Sequence, residues 1–325
     1  PFAAPSYVFN SPVLDASPDG VVVNMPLNEA IDVTAAWIRA RALVNVWGQE
    51  YKPHSTIDLA YLSGNFAGDG IKVSPYGMLA FVGSQANFGT VNDTDMLGFT
   101  PSDENTVAYW VGVGGELTMF DPFKFTADFL YSGNDADHTA ERSGWYAALG
   151  AEMKTAWATP FLKGWYASGD DGNVKNGSER LPSIAGAGNF TSFMGDGNLA
   201  WGTGYNFYDN NLTSAGTWGV GLQIADVSFV EDLKHTFRVA YWGGTNSPSM
   251  VKYMGSAVAW DDTTAAQDGP YLTTNDGLLE FNLVNSWQIY ENLEANLELG
   301  YIVNMMDKDT WDKSYVSDRN WSKQD

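Results

Sequence analysis

Apolar and polar residues alternate along several stretches of the chain, most regularly between residues 233 and 305. Phe237 and Val239, for example, alternate with Lys234, Thr236 and Arg238. Successive side chains of a β-strand point to opposite faces, so this alternation predicts strands that are apolar on one face and charged on the other. Each stretch is about ten residues long, which is the length that a tilted strand needs to cross a bilayer.

The same alternation recurs along the chain and predicts roughly twelve strands in six pairs. Short turns such as residues 290–292 join the strands of a pair, and longer polar loops such as residues 169–215 separate the pairs. This arrangement is typical of an all-β, antiparallel transmembrane β-barrel with short periplasmic turns and long extracellular loops. The predicted strands span residues 21–25, 31–41, 57–66, 71–82, 106–119, 123–131, 145–154, 161–168, 217–225, 233–245, 278–289 and 293–305.

Alternation alone also fits a soluble β-sandwich, in which the polar faces contact water and the apolar faces form the core. Two features favour the barrel. Aromatic residues cluster near predicted strand ends, where membrane barrels carry their interfacial girdles. Charges of both signs lie near the middle of the polar faces, where a water-filled lumen would hold them. The aromatic residues are Trp110, Trp145, Trp165, Tyr166, Trp218, Tyr241, Trp242, Trp287, Tyr290 and Tyr301.

Composition excludes several classes of function. The chain has 325 residues and a net charge of −22, which argues against nucleic acid as a partner because nucleic-acid-binding surfaces are basic. It has no cysteine, so disulfide frameworks, cysteine metal sites and thiol catalysis are excluded. No apolar run reaches about 18 residues, so no transmembrane helix is predicted. No nucleophile elbow, phosphate loop or zinc motif is present, and we expect a protein that is not an enzyme.

Five longer stretches resemble one known family. They read WYASGDDGNVKNGSER at 165–180, DVSFVEDLKHTFR at 226–238, GGTNSP at 243–248, YLTTND at 271–276 and IYENL at 289–293. Together they resemble the homotrimeric outer-membrane porins of Desulfovibrio-type sulfate-reducing bacteria. The resemblance implies a bacterial outer-membrane protein whose partners are two identical subunits, outer-membrane lipid and small polar solutes. It implies a water-filled channel for passive diffusion of small hydrophilic solutes and ions, without catalytic residues.

The ends of the sequence do not resemble closing strands. Residues 1–18 contain four prolines, and the chain closes on a polar stretch. A barrel must pair its first strand with its last, because an open edge is not tolerated in lipid. We therefore expect residues 1–325 to form one barrel domain that is incomplete at both ends, with about 16–18 strands in the complete chain by analogy with porins.

The alternation also predicts which side chains line the pore. Charged rows could form opposed walls that set ion preference, or they could pair with neighbours and solvate the lumen, and we favour the second interpretation. Because porins fold one loop into the lumen, residues 1–19 are a candidate constricting loop, with an ordinary external loop as the equal alternative. The predicted pore-lining residues are Lys124, Asp128, Lys234, Arg238, Glu280, Asn282, Glu294, Asn296 and Glu298.

One acidic loop offers oxygen ligands at short spacing. Asp170, Asp171, Asn173 and Glu179 lie beside glycines, a combination that suits Ca²⁺. Their spacing does not fit an EF-hand, and a solvated surface loop is the better interpretation. We expect no required cofactor.

These observations predict a general diffusion porin of the outer membrane. The alternative is a soluble secreted β-protein that binds carbohydrate through surface aromatic residues. That alternative predicts a monomer that stays in water without detergent.

Overall fold

The computed structural model describes residues 2–16, 19–42, 56–84, 105–135, 141–173, 175–182, 216–253 and 271–311. Strands make up most of this part of the chain, which confirms the all-β prediction. None of the helices in the described ranges is long and apolar enough to cross a membrane. The strands are β1 Phe2–Ala3, β2 Asp15–Ala16, β3 Asp19–Asn28, β4 Ile31–Ala42, β5 Thr56–Gly68, β6 Ile71–Val82, β7 Thr106–Phe120, β8 Phe123–Asn134, β9 Ser143–Met153, β10 Thr159–Ala167, β11 Thr217–Val230, β12 Leu233–Gly244, β13 Gly277–Tyr290 and β14 Leu293–Met305.

Strands β3 to β14 form one antiparallel sheet of twelve strands, in which each strand pairs with its neighbours in sequence. Short turns join β3 to β4, β5 to β6 and every later odd-numbered strand to the next, as the six predicted pairs require. Within the described residues, β3 and β14 each pair with a single strand. A short separate hairpin pairs β1 with β2.

Three features differ from the sequence prediction. The β1–β2 hairpin lies where a loop was expected, and two short helical elements follow later, a 3₁₀ helix at Pro248–Tyr253 and helix α1 at Lys308–Trp311. Strand β11 continues to Val230, although the alternation predicted its end at residue 225. Register shifts between Ile224, Val227 and Val230, with a positive φ of 59° at Asp226, interrupt the alternation there without ending the strand.

The sheet has one apolar face that is exposed. One row of directly paired residues on this face, which we call the apolar level, runs across nine strands from β6 to β14. The eight large side chains of this level are 36–67% exposed. Soluble proteins rarely expose contiguous apolar patches larger than a few hundred Å². The level consists of Ile71, Leu117, Phe125, Ala151, Leu162, Leu222, Val239, Phe281 and Tyr301.

The opposite face, which we call the covered face, carries the buried residues. One of its levels contains Asp128 on β8, flanked by Gly114 on β7 and Ala148 on β9, and all three are buried. The buried core cluster also lies here, with Leu59, Met78 and other side chains of this face packed together. The covered face therefore combines buried apolar side chains with polar and charged ones, whereas the large apolar side chains of the opposite face are exposed. A soluble sandwich would instead bury its apolar face.

Aromatic residues divide between the two faces, which corrects part of the prediction. Trp110, Trp165 and Trp242 are buried on the covered face and do not contribute to an interfacial girdle. Adjacent aromatics such as Trp165 and Tyr166 must point to opposite faces of a strand, so only one of each pair can face outward. Trp145, Tyr166, Trp218, Trp287, Tyr290 and Tyr301 are exposed, as a girdle requires.

Candidate functional site

Residues 2–16, which we call the crossing segment, lie across the covered face of the sheet. At one end, the ring of Phe2 packs edge-on against Tyr61 of β5, with the ring centroids 4.9 Å apart. Farther along the segment, the ring of Phe9 packs edge-on against Trp165 of β10 at 5.6 Å. The segment thus passes over six consecutive strands, roughly 24 Å at the usual spacing between strands. The apolar anchors Val13 and Leu14 are fully buried.

The middle of the crossing segment is held by the carboxylate of Asp128. The backbone N–H of Tyr7 donates to both carboxylate oxygens at 2.9 Å, and the N–H of Val8 donates to Oδ2 at 2.8 Å. The hydroxyl of Ser6 donates to Oδ2 at 3.0 Å. Asp128 is only 8% exposed, and hydrogen bonds to a charged group are stronger than neutral ones. One side chain of the sheet therefore satisfies two backbone amides that no strand partner takes.

Two lysines of the covered face lie over aromatic rings of the crossing segment. The Nζ of Lys72 lies 5.2 Å from the ring centroid of Tyr7, and the Nζ of Lys163 lies 5.0 Å from that of Phe9. Lys163 also lies 5.1 Å from the ring centroid of Phe161 on its own strand. These are cation–π distances. Cations on β6 and β10 thus flank the Asp128 carboxylate on β8.

A glycine makes room for this contact. Gly114 pairs with Asp128 in the register of β7 and β8. A Cβ at Gly114 would collide with the Asp128 carboxylate and would lie 2.7 Å from Cδ2 of Tyr7. The close approach of the segment to the sheet therefore needs a residue without a side chain at this position.

A second stretch also reaches the covered face. Leu181 is fully buried in the core cluster, and the carbonyl of Pro182 accepts a 2.8 Å hydrogen bond from Trp110 Nε1. Arg142 donates from Nε to the carbonyl of Arg180 at 2.9 Å. This contact was not predicted, because the surrounding loop is polar in composition. Only residues 1–19 were predicted to fold inward.

The structure places all nine predicted pore-lining residues on the covered face. Two of the predicted cations have acidic neighbours: Lys124 Nζ lies 3.5 Å from Glu116 Oε2, and Lys234 Nζ lies 3.5 Å from Asp226 Oδ1. Arg238 donates from Nε to Gln223 Oε1 at 2.8 Å. This local pairing fits charges that pair with their neighbours better than opposed charged walls.

The predicted acidic residues lie on β13 and β14. Glu280 is fully buried and accepts a 2.7 Å hydrogen bond from Asn282 Nδ2. Glu280 and Glu298 both interact electrostatically with Arg238 on β12. On β14, Asn296 donates to Glu294 Oε1 at 2.6 Å. The acidic residues of β13 and β14 thus lie on the strands next to the basic residues of β12.

The loop suggested for Ca²⁺ is closed by hydrogen bonds. Asp170 Oδ1 accepts from the Ser178 hydroxyl at 2.5 Å, and Oδ2 accepts from the Tyr271 hydroxyl at 2.7 Å. Glu179 accepts from the backbone N–H of Asp171 at 3.0 Å. Among the described residues, no group of three or more His, Asp or Glu side chains is placed to hold a metal ion. The oxygens of this loop organise the loop itself.

The phenol of Tyr271, which is buried, and the carboxylate of Glu179, which is half-buried, both have raised pKa values. Burial, followed by the nearby Asp170 carboxylate, raises the pKa of Tyr271 above its ordinary value. Burial also raises the pKa of Glu179. The guanidinium of Arg180 lies 5.0 Å from the centroid of the Tyr271 ring. These residues tie the loop after β10 to the segment before β13.

Sequence reasoning missed several side chains of the covered face. Lys72, Glu116 and Lys163 lie on this face but were not predicted to do so. Their strands contain glycine, alanine and buried aromatic residues at neighbouring inward positions, so the polar alternation is weak there. Strand β8 alternates strongly, and Glu116 on β7 pairs with Thr126 of β8. Pairing the two strands could therefore have placed Glu116 on the covered face.

Comparisons with known proteins gave structural neighbours only. No family model matches the chain, and no curated protein matches it. The outer membrane protein OprD of Pseudomonas aeruginosa aligns with 92% of this chain and 65% of its own, at 12% identity and a TM-score of 0.49. The alignment with Pseudomonas aeruginosa OccK9 (OpdG) covers 88% of this chain and 62% of OccK9, at 11% identity and a TM-score of 0.47. The alignment with Pseudomonas aeruginosa OpdK, solved with vanillate, covers 88% of this chain and 64% of OpdK, at 13% identity and a TM-score of 0.46. The chain thus spans slightly less than two thirds of the length of these proteins.

Proposed function

We propose that this chain forms most of the wall of a water-filled channel in a bacterial outer membrane. The observation that carries the proposal is the exposed apolar level across β6 to β14, combined with charged and polar residues on the opposite face. Lipid can cover such an apolar face, and water in a lumen can solvate the polar one. The nine residues predicted to line the pore then face this lumen.

The solutes in this proposal are small, hydrophilic and passed by passive diffusion. Charges of both signs on neighbouring strands favour general permeability over a single-sign filter. The crossing segment is the proposed constriction, because it occupies space over six strands of the lumenal face. The channel needs no cofactor and performs no catalysis in this proposal.

We also infer a homotrimer, on the basis of the sequence resemblance to trimeric porins. Electrophoresis of the unheated protein in mild detergent tests it, with a band near three times the 35.4 kDa chain mass expected. A band at the monomer mass, before and after chemical cross-linking, would contradict it.

Swelling of liposomes tests the channel itself. Proteoliposomes that contain the purified protein are diluted into sugars of increasing size, and we expect fast swelling for small sugars and none above a size limit. Liposomes with heat-denatured protein are the control. Equal swelling in both would remove the proposal. A soluble carbohydrate-binding protein is not favoured, because it would have to expose the apolar level to water.

A further inference from the structure

The crossing segment is fixed differently at its ends and in its middle. Near the ends, β1 pairs with β2, the N–H of Ala4 donates to the Leu14 carbonyl at 2.9 Å, and Leu14 is buried. Between these points, the backbone amides of Tyr7 and Val8 donate to Asp128. The backbone amides of Tyr7 and Val8 in the middle of the segment are therefore held to the sheet by one carboxylate.

The neighbours of this carboxylate are arranged to accept the segment. Gly114 leaves the space that the Tyr7 ring occupies, and the Tyr7 hydroxyl lies 2.5 Å from Ser74 Oγ. Ser74 in turn donates to Asn65 Oδ1 at 2.6 Å. Lys72 lies over the same ring. Side chains from β5, β6 and β8 thus converge on two residues of the segment.

We propose that Asp128 is a positioning residue that clips the crossing segment against the wall and keeps the channel open. This inference rests on the proposed channel function and adds a residue that controls its aperture. Because the segment lies flat only while its amides have an acceptor, loss of the carboxylate leaves buried donors unsatisfied and favours release. A released middle stretch, still tethered at both ends, moves into the lumen and blocks it intermittently.

Cysteine modification tests the clip without requiring a channel. The chain contains no cysteine, so Ser6→Cys gives a single thiol beside Asp128. A small charged methanethiosulfonate reagent then reports how often this site opens in detergent micelles. We expect Asp128→Ala to raise the modification rate at least about tenfold, which corresponds to roughly 1.4 kcal/mol. Asp128→Asn, of nearly equal volume, keeps one acceptor oxygen, and we expect a smaller increase.

The matched control is Asp226→Asn. It removes one negative charge near Lys234, away from the crossing segment, and asparagine tolerates the positive φ of this position. We expect its modification rate to equal that of the Ser6→Cys parent. If the Asp128 variants are modified at the parent rate, the clip is wrong. Asp128→Asn keeps this test decisive should Asp128→Ala fail to fold.

Single-channel recording tests the consequence for the pore. The parent is expected to give steady current steps, and Asp128→Ala to spend at least about ten times longer in closed or blocked levels. Steady steps in both proteins would overturn the inference while leaving the channel intact. If the parent itself gives no steps, the proposed function fails, and the modification rates still decide whether Asp128 holds the segment.

Discussion

Neighbouring positions on β14 allow a matched test of which face contacts lipid. Leu297 lies on the apolar face and is 57% exposed, whereas Asn296 lies on the covered face beside Glu294. Arginine at residue 297 would have to enter lipid, and arginine at residue 296 would enter the proposed lumen. We expect Leu297→Arg to impair folding into a bilayer and Asn296→Arg to fold and change ion preference.

The size of the effect follows from the position of Leu297 along its strand. It lies four residues after Leu293, the first residue of β14, or about 14 Å along the strand. With a strand tilt of roughly 40° this is about 10 Å in depth, close to the middle of an apolar band about 25 Å tall. Arginine near the midplane costs about 2–4 kcal/mol. That range lowers the ratio of folded to unfolded protein by about 30-fold to about 1000-fold.

The assay is reversible urea unfolding of both variants in lipid vesicles, followed by tryptophan fluorescence. The midpoint of Leu297→Arg should fall well below that of the parent, and the midpoint of Asn296→Arg should stay near it. Equal midpoints for the two variants would refute the assignment of faces. A lower midpoint for Asn296→Arg alone would show that the face of Asn296, and not that of Leu297, contacts lipid.

Three further predictions concern packing, a loop and a helix cap. Gly114→Ala should destabilise the protein by about 1–3 kcal/mol through overpacking beneath the crossing segment, whereas Gly77→Ala, whose Cβ would meet nothing closer than 3.9 Å, should be nearly neutral in the same urea assay. Tyr271→Phe removes a buried hydrogen bond to the loop carboxylate and should cost about 1–3 kcal/mol, measured as faster proteolysis of the loop after β10. Hydrogen bonds from Thr310 hold the pKa of Asp307 below its ordinary value of 3.8, so the cap of α1 should be intact above that pH and be lost as the pH falls through the lowered pKa. A pH titration of tryptophan fluorescence checks this, and Thr310→Ala should return the transition toward the ordinary value; an unchanged transition would contradict the cap.

The strands and their faces were predictable because apolar and polar residues alternate regularly along them. Phe125 and Phe129 alternate with Lys124 and Asp128, and the structure places these pairs on opposite faces. Each pair of strands has a short turn, so the order of the sheet followed from the chain. The eleven pairings between these twelve strands required no contact that the local pattern did not already indicate.

The packing of the crossing segment was not predictable from the sequence. Its contact with Asp128 runs through backbone amides, which carry no sequence signal, and joins residues 120 and 121 positions apart. The need for glycine at residue 114 becomes visible only once Tyr7 lies above it. Alternation predicts the face of Asp128, but it does not indicate that another segment covers that carboxylate.

The aromatic residues show a similar limit. Trp110 and Trp242 suggested a girdle by their position near strand ends, yet both lie buried on the covered face. Trp110 donates from Nε1 to the carbonyl of Pro182, which lies 72 positions away in the sequence, so the alternation within β7 could not indicate this hydrogen bond. The position of an aromatic residue along a strand is therefore insufficient to predict its exposure. The face of the sheet to which its side chain points decides its environment.

Planar-bilayer recording of the detergent-extracted protein tests the central claim most directly. A salt gradient across the bilayer gives both the conductance and the ion preference in one experiment. We expect discrete current steps, grouped in threes if three identical channels insert together. A protein that stays in solution without detergent and produces no steps would contradict the account.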